Sequence, residues 1–274
     1  MYSSLRTTAF FFLLFLTYNL SAQDNKVKEI KHKEYFDNRK IKAEGIKNEL
    51  GVPNGTWTYY RKDGSIDSEI TFNKEGNPEG PFTMYFRNGN VQTKSSYSGK
   101  GFYEMDGDYE DYFANSQLRS KGKYKNNKPV GKWTNYWENG QIESLSYYNE
   151  DGVIRKNTSY FKNGQLRMDA DYNEKGDFTG KITIYYDNGE KHIEESFDKD
   201  GNKTGKYASF YKNGRLMELG EYAGTDYFQR KGTWKSFYEN GKVKREITYD
   251  EEGNIIGEIK YYDEKGNLLS SKKK

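Results

Sequence analysis

The side chains that could do chemistry are few, and their spacing argues against a reaction centre. The 274 residues hold two histidines, His32 and His192, and no cysteine. The histidines lie far apart, each among Lys and Glu, as exposed strand residues would and not as a ligand pair or a general base. Without cysteine there is no disulfide, no Cys-ligated zinc, no thiol nucleophile and no lipid anchor through a thiol. No Gly-x-Ser-x-Gly elbow and no phosphate-binding P-loop occurs. Asp198-Lys-Asp200-Gly201-Asn202 has the opening of a calcium loop, but Lys203 and Ser209 stand where an EF-hand needs glycine and an acid. The remaining carboxylates recur in loops, where they serve solubility. The expectation is a chain that is not an enzyme, with no metal site and no cofactor.

The conspicuous side chains are rings. Tyr, Phe and Trp number 26, 16 and 4 in a chain only 33% hydrophobic, so any core is built largely from aromatics. Tyrosine can pack its ring while its hydroxyl stays wet, which suits a thin sheet without a deep interior. Two adjacent pairs, Phe102-Tyr103 and Tyr227-Phe228, fall in the longest linkers, where they either fold back over the sheet or form contact points for a partner. With Trp133, Trp137 and Trp234 they are the candidate binding residues. A protein surface would suit them, and so would the flat face of a polysaccharide sugar.

The elements that position these rings follow from a repeat. Counting each unit from its first glycine, units start at Gly55, Gly80, Gly107, Gly131, Gly180, Gly205, Gly232 and Gly257, with Arg155 in the glycine slot of one more. The period is about 25 residues. Position 2 holds a large ring or aliphatic, such as Trp57, Trp133, Ile182 and Trp234, with Asn157 as the exception. Position 5 is always aromatic. Position 9 is glycine except at Ser116, position 11 is aliphatic except at Lys191, and an aromatic stands at position 17. Asn-Gly before the aliphatic, between runs of aromatic and β-branched residues, signals a β-hairpin. Period-2 alternation sets positions 2 and 6 on one face and position 5 on the other, and it sets positions 11 and 17 on a common face. Inter-unit sequences such as Asn73-Lys-Glu-Gly76-Asn77 are expected to be turns, with φ > 0 at Gly and Asn. A degenerate unit around Tyr35, Arg39 and Ile41 precedes the others. The expected fold is all-β: an elongated single-layer repeat sheet of about ten stacked antiparallel β-hairpins. It spans residues 51–271, after a 23–50 segment holding the degenerate cap and before a basic tail at 272–274.

Charge and the N-terminus bound the partners. With 44 basic and 41 acidic residues the net charge is +3, without the clustered excess of a nucleic-acid binder. Residues 1–22 read as a signal peptide: Arg6, the apolar run Ala9–Leu16, then Leu20-Ser21-Ala22 before Gln23. The apolar run is too short to span a bilayer. Cleavage between Ala22 and Gln23 and a periplasmic or secreted location are expected, with no integral membrane span afterwards.

On these residues the units resemble bacterial MORN repeat variants. Gly131-Lys-Trp133-Thr-Asn-Tyr136-Trp-Glu-Asn139-Gly140-Gln-Ile142 carries the likeness best, and Gly232 to Val243 comes close. The resemblance implies a non-catalytic scaffold, and aromatic rows surrounded by charge suit binding to a protein. Lipid contact is proposed for some members, and bacterial ones are often labelled toxin–antitoxin antitoxins, so an antitoxin-like or immunity-type binding role is a further implication. A glycan- or cell-wall-binding module is the alternative that the stacked rings themselves raise.

Overall fold

The computed structural model describes residues 30–101, 103–224 and 228–273. The signal-peptide reading, its cleavage site, Phe102 and Tyr227 lie outside the described residues. Twenty strands, from Ile30–Tyr35 to Leu268–Lys273, form one sheet, and no described residue is helical. Each strand pairs antiparallel with the next in the chain, inside a unit (Trp57 opposite Ile70) and between units (Glu69 opposite Thr83). The all-β stack of hairpins is therefore observed. The degenerate N-terminal unit is a true hairpin, pairing Ile30–Tyr35 with Ile41–Lys47. No described helix is long and apolar enough to cross a membrane.

Register is held along one line. Position 3 faces position 14 within every unit, and position 14 faces position 3 of the next. The resulting row runs Lys33, Glu44, Thr58, Glu69, Thr83, Lys94, Glu110, Lys121 and onward to Ser271. On either side of this line the strands bulge. Inside the hairpin, Tyr59 pairs Ser68 but Tyr60 pairs Ile66, so Asp67 is an extra residue. A one-residue bulge reverses which face the following side chains occupy. The aliphatic at position 11 therefore shares a face with Tyr at position 5, not with the ring at position 17. That corrects the alternation expected from sequence, and it separates a row face (positions 3, 5, 11, 14) from a ring face (positions 2, 4, 13, 15, 17).

The ring face is the core. One cluster joins Ala43, Trp57, Ile70, Phe72 and Tyr97, and another joins Ala170, Ile182 and Phe197. Between units, positive-φ glycines such as Gly232 (φ 62°) widen the strand before position 2 and tip its ring onto the preceding unit. Where that ring is Trp, the residue beneath it is glycine. Trp57 lies on Gly45, Trp133 on Gly122 and Trp234 on Gly220, and a Cβ on Gly220 would sit 2.1 Å from the Trp234 ring. Each indole Nε1 donates to a carbonyl of the same preceding strand: Ile46 at 2.9 Å, Lys123 at 3.2 Å and Glu221 at 3.1 Å. Ring and donor are both satisfied, which is why so large a side chain can be buried in one layer.

The turns differ from expectation in one respect. In the Asn-Gly turns only glycine (or its substitutes Arg39 and Ser116) has φ > 0, and the glycine N–H returns to the carbonyl three residues earlier, as in Gly140 to Trp137 at 2.8 Å. This is a type I turn closed by a left-handed residue. Among the described residues the only asparagines at positive φ are Asn126 and Asn127, in the two-residue turn joining Lys125 to Lys128. Elsewhere Asn links neighbouring turns. Asn188 Nδ2 donates to the Lys212 carbonyl at 2.9 Å and Asn240 Nδ2 to Glu264 at 2.9 Å, while Asn48 and Asn173 do the same along the opposite edge. The Arg155 unit breaks the pattern for a reason of register. Arg155 has no positive φ, residues 144–147 pair with 156–159 without a skip, and Asn157 Nδ2 donates to Ser146 Oγ at 2.7 Å.

Gly220→Ala should cost about 1–3 kcal/mol, the usual penalty of overpacking. In a denaturant-unfolding cycle with Trp234→Leu the two losses should be strongly non-additive. Additive losses would show that the indole does not depend on the missing Cβ.

Candidate functional site: two aromatic boxes under the long linkers

Each long linker is closed at its base by an equivalent backbone hydrogen bond. Ser98 N–H donates to the Glu104 carbonyl at 2.9 Å, and Ala223 N–H donates to the Gln229 carbonyl at 2.8 Å. The members of one closure stand 125 residues after those of the other, a spacing of five units. The same offset relates the residues beneath. The first box holds Ile70, Phe72, Pro78, Phe82, Tyr97 and Met105, with Tyr103 edge-on to Tyr97 at 5.6 Å. At the equivalent positions the second has Glu195, Phe197, Lys203, Tyr207, Tyr222 and Arg230, with Phe228 from the linker. Rings occupy four positions in both boxes. Three apolar residues of the first, Ile70, Pro78 and Met105, are Glu, Lys and Arg in the second.

The charges of the second box are paired and largely dry. Lys203 Nζ lies 2.7 Å from Glu195 Oε2, with the two side chains 14% and 10% exposed. The same ammonium lies 5.3 Å from the Phe228 ring centre, 5.4 Å from Tyr222, 5.9 Å from Phe197 and 6.0 Å from Tyr207. The Arg230 guanidinium stacks on Trp234 at 4.0 Å, and burial, which would lower its pKa, is outweighed by a hydrogen bond to Tyr249 and by Glu218. Tyr207 and Trp234 stack at 5.4 Å, and Tyr222 meets Trp234 edge-on at 5.0 Å.

The residues singled out from sequence separate into two groups. Trp133 and Trp234 are buried ring-face residues, and Trp137 donates its Nε1 to the Tyr160 carbonyl at 3.2 Å. Tyr186, Tyr211 and Tyr238 use their hydroxyls in the same way, each on the next unit's position-5 carbonyl. These rings join units. Tyr103 and Phe228, by contrast, are 47% and 65% exposed although each touches its box. Of the histidines, His32 lies 5.8 Å from Trp57 in a position-2 slot, and His192 stacks on Tyr186 at 4.3 Å. No group of His, Asp and Glu able to hold a metal occurs among the described residues. In the calcium-like turn, Asp198 accepts the backbone N–H groups of Asp200 and Asn202, and the Asn202 N–H holds its carboxyl below the usual range.

The row face is wet and charge-compensated. Lys33 pairs with Glu44 at 2.9 Å, and Glu246 pairs with Lys235 at 3.1 Å and Lys260 at 3.7 Å. Tyr60 donates to Glu44 and Tyr85 to Glu69, at 2.6 and 2.7 Å, which pushes both phenols up to about 12. Tyr112 also reaches about 12, through burial first and its bond to Glu110 second. The row turns apolar at Leu145 and at Ala208 with Leu219, the last 39% exposed.

With hairpin, bulge and ring geometry in place, the family comparison is direct. Residues 53–74, 78–98, 105–126, 129–155 and 230–251 match a family model. They match the MORN repeat variant. These five stretches are spread along the array. No curated protein matches the chain. Among solved structures, the crystal structure of TcdB2-TccC3 aligns with 89% of this chain at 12% identity and a TM-score of 0.21. The Photorhabdus luminescens Tc holotoxin pore carrying the TccC3-D651A mutation aligns with 88%, at 12% identity and 0.21. The chain spans 18% and 16% of the lengths of those chains, and at such similarity the alignments bear on neither fold nor function.

Two of these features are present in the sequence as signals. Glycine at position 15 precedes a position-2 Trp three times, at Gly45, Gly122 and Gly220. The change from Pro78 to Lys203 shows only when units five apart are aligned.

In a spectrophotometric titration Tyr60, Tyr85 and Tyr112 should ionise with midpoints near 12. Their folded pKa values are raised, so the native state keeps protons that the unfolded chain loses above about 10. Their stabilising contribution is therefore intact below about pH 10 and should be lost as pH rises from about 10 to 12. A triple Tyr→Phe variant should lose that part of the pH dependence.

Proposed function

We propose that the chain is an exported, non-catalytic repeat scaffold whose row face binds a protein partner in the cell envelope or outside the cell. The observation that carries this reading is the division of labour between faces. The rings and indole donors of the ring face are spent on holding units together, whereas the row face presents a line of charged residues and threonines at positions 3 and 14, interrupted by Leu145 and by Ala208 with Leu219 and flanked by the position-5 aromatics and position-11 aliphatics. Apolar anchors within a polar, charge-paired surround have the make-up of a protein interface. Export is supported by Arg6 followed by the apolar run Ala9–Leu16 and the small residues before Gln23. A sugar platform on Trp133 and Trp234 is disfavoured, because those rings are buried with their N–H groups committed. The antitoxin-like role implied by the family resemblance would be a special case of protein binding.

The chain from Gln23, used as bait in an envelope extract, should capture a specific protein, and Leu145→Glu with Leu219→Glu should reduce that capture at least tenfold without lowering the melting temperature. Retention on peptidoglycan or polysaccharide, or capture untouched by the double substitution, would overturn the row-face reading. N-terminal sequencing of the protein recovered from the envelope should begin at Gln23.

A further inference from the structure

We infer that the second box is a binding site for an alkylammonium group, which the chain fills with its own Lys203 side chain. The inference is independent of the row-face reading, since it concerns the opposite side of the sheet. The first box is an internal control. At the same place in the fold, beside an equivalent backbone hydrogen bond, it holds buried Pro78 and Ile70. Four ring positions persist in the second box, so its aromatic walls do not require a charge inside them.

The contents are what change. Four ring centres lie within 5.3–6.0 Å of one ammonium, and a carboxylate sits 2.7 Å from it. Rings around a cation, with an acid to neutralise it, are the chemistry by which proteins hold lysine, methylated lysine and quaternary ammonium groups. Replacing a buried ion pair by well-packed apolar residues of similar size is often neutral or stabilising, and the first box has Ile70 and Pro78 at the equivalent positions. The ion pair does impose selectivity: an apolar group in this box would leave the Glu195 carboxylate buried without a counter-charge, which an ammonium supplies, as Lys203 does at 2.7 Å. One wall, Phe228, is 65% exposed and lies beside the Ala223-to-Gln229 backbone hydrogen bond.

Lys203→Ala removes the chain from Cγ to Nζ, which n-propylammonium restores atom for atom. With this variant, n-propylammonium chloride should raise the melting temperature saturably, with half-saturation in the millimolar range. It should also return hydrogen-exchange protection to the Ala223 amide, while the Ser98 amide of the first linker stays unaffected. Neither 1-propanol nor sodium chloride should do so, and wild type, Lys203→Met and Lys203→Ala with Glu195→Gln should all fail to respond. If Lys203→Ala does not fold alone, the same compounds are compared as additives during refolding. Equal rescue by 1-propanol, an equal shift in wild type, or no rescue by the ammonium would each overturn the site.

Discussion

In every strand one residue meets its neighbours squarely, position 3 against position 14, and the rest of the molecule is arranged around that line. On either side of it the chain holds extra residues, in the hairpin after position 11 and between units before position 2. Since side chains alternate with period 2, each extra residue redirects the side chains beyond it. The bulge before position 2 carries a ring onto the preceding unit. The bulge after position 11 sends the aliphatic to the wet face and leaves positions 13, 15 and 17 for the core. A regular sheet of the same composition would scatter its aromatics over both faces and bury none of them. Here the fixed line lets the bulges gather the rings of positions 2 and 17 on one face while position 5 stays on the other, and Trp57, Ile182 and Trp234 are almost fully buried in a sheet one layer thick.

Beyond the backbone pairing, cohesion between units comes from side chains that reach the neighbouring unit. Asn-Gly asparagines donate to the next turn's carbonyls, position-6 rings donate to the next position-5 carbonyl, and position-2 indoles donate back to the preceding strand. All three join neighbours and nothing more distant, so the array has the energetics of a one-dimensional stack in which each hairpin is stable only against the next. The Arg155 unit shows the consequence of a missing connector. Without the glycine bulge the ring has no route onto the preceding unit, and Asn157 supplies a polar contact to Ser146 in its place.

The hairpins are legible in the sequence because Asn-Gly turns and aromatic spacing are local, and local signals survive in a single sequence. The face of position 11 is not, because an inserted residue such as Asp67 looks like any other strand residue until pairing is known. The roles of the asparagines are hidden for a related cause. Asn tolerates positive φ, and a turn considered alone gives it no other task, whereas its amide finds a partner only once a second turn is stacked beside it. The aromatic linkers are visible as a candidate site, but their undersides are not: Ile70 with Pro78 and Glu195 with Lys203 are ordinary neighbours in sequence. Only the superposition of units five apart makes the exchange of an apolar pair for an ion pair meaningful.

That exchange bears on how a repeat protein acquires specificity. Most positions of the ring face cannot vary freely, because each ring is also a neighbour's floor; a Cβ on the glycine beneath Trp234 would sit 2.1 Å from the ring, so even a methyl group forces the ring to shift. The linkers escape this constraint, being covered by no further unit. A box beneath a linker can therefore change its contents without disturbing the register line, provided its rings keep supporting the units on both sides. Phe72, Phe82 and Tyr97 do so in the first box, and Phe197, Tyr207 and Tyr222 do so in the second. Structural duty falls on the walls and selectivity on the contents, which is why Ile70, Pro78 and Met105 could become Glu195, Lys203 and Arg230 within an otherwise unchanged frame.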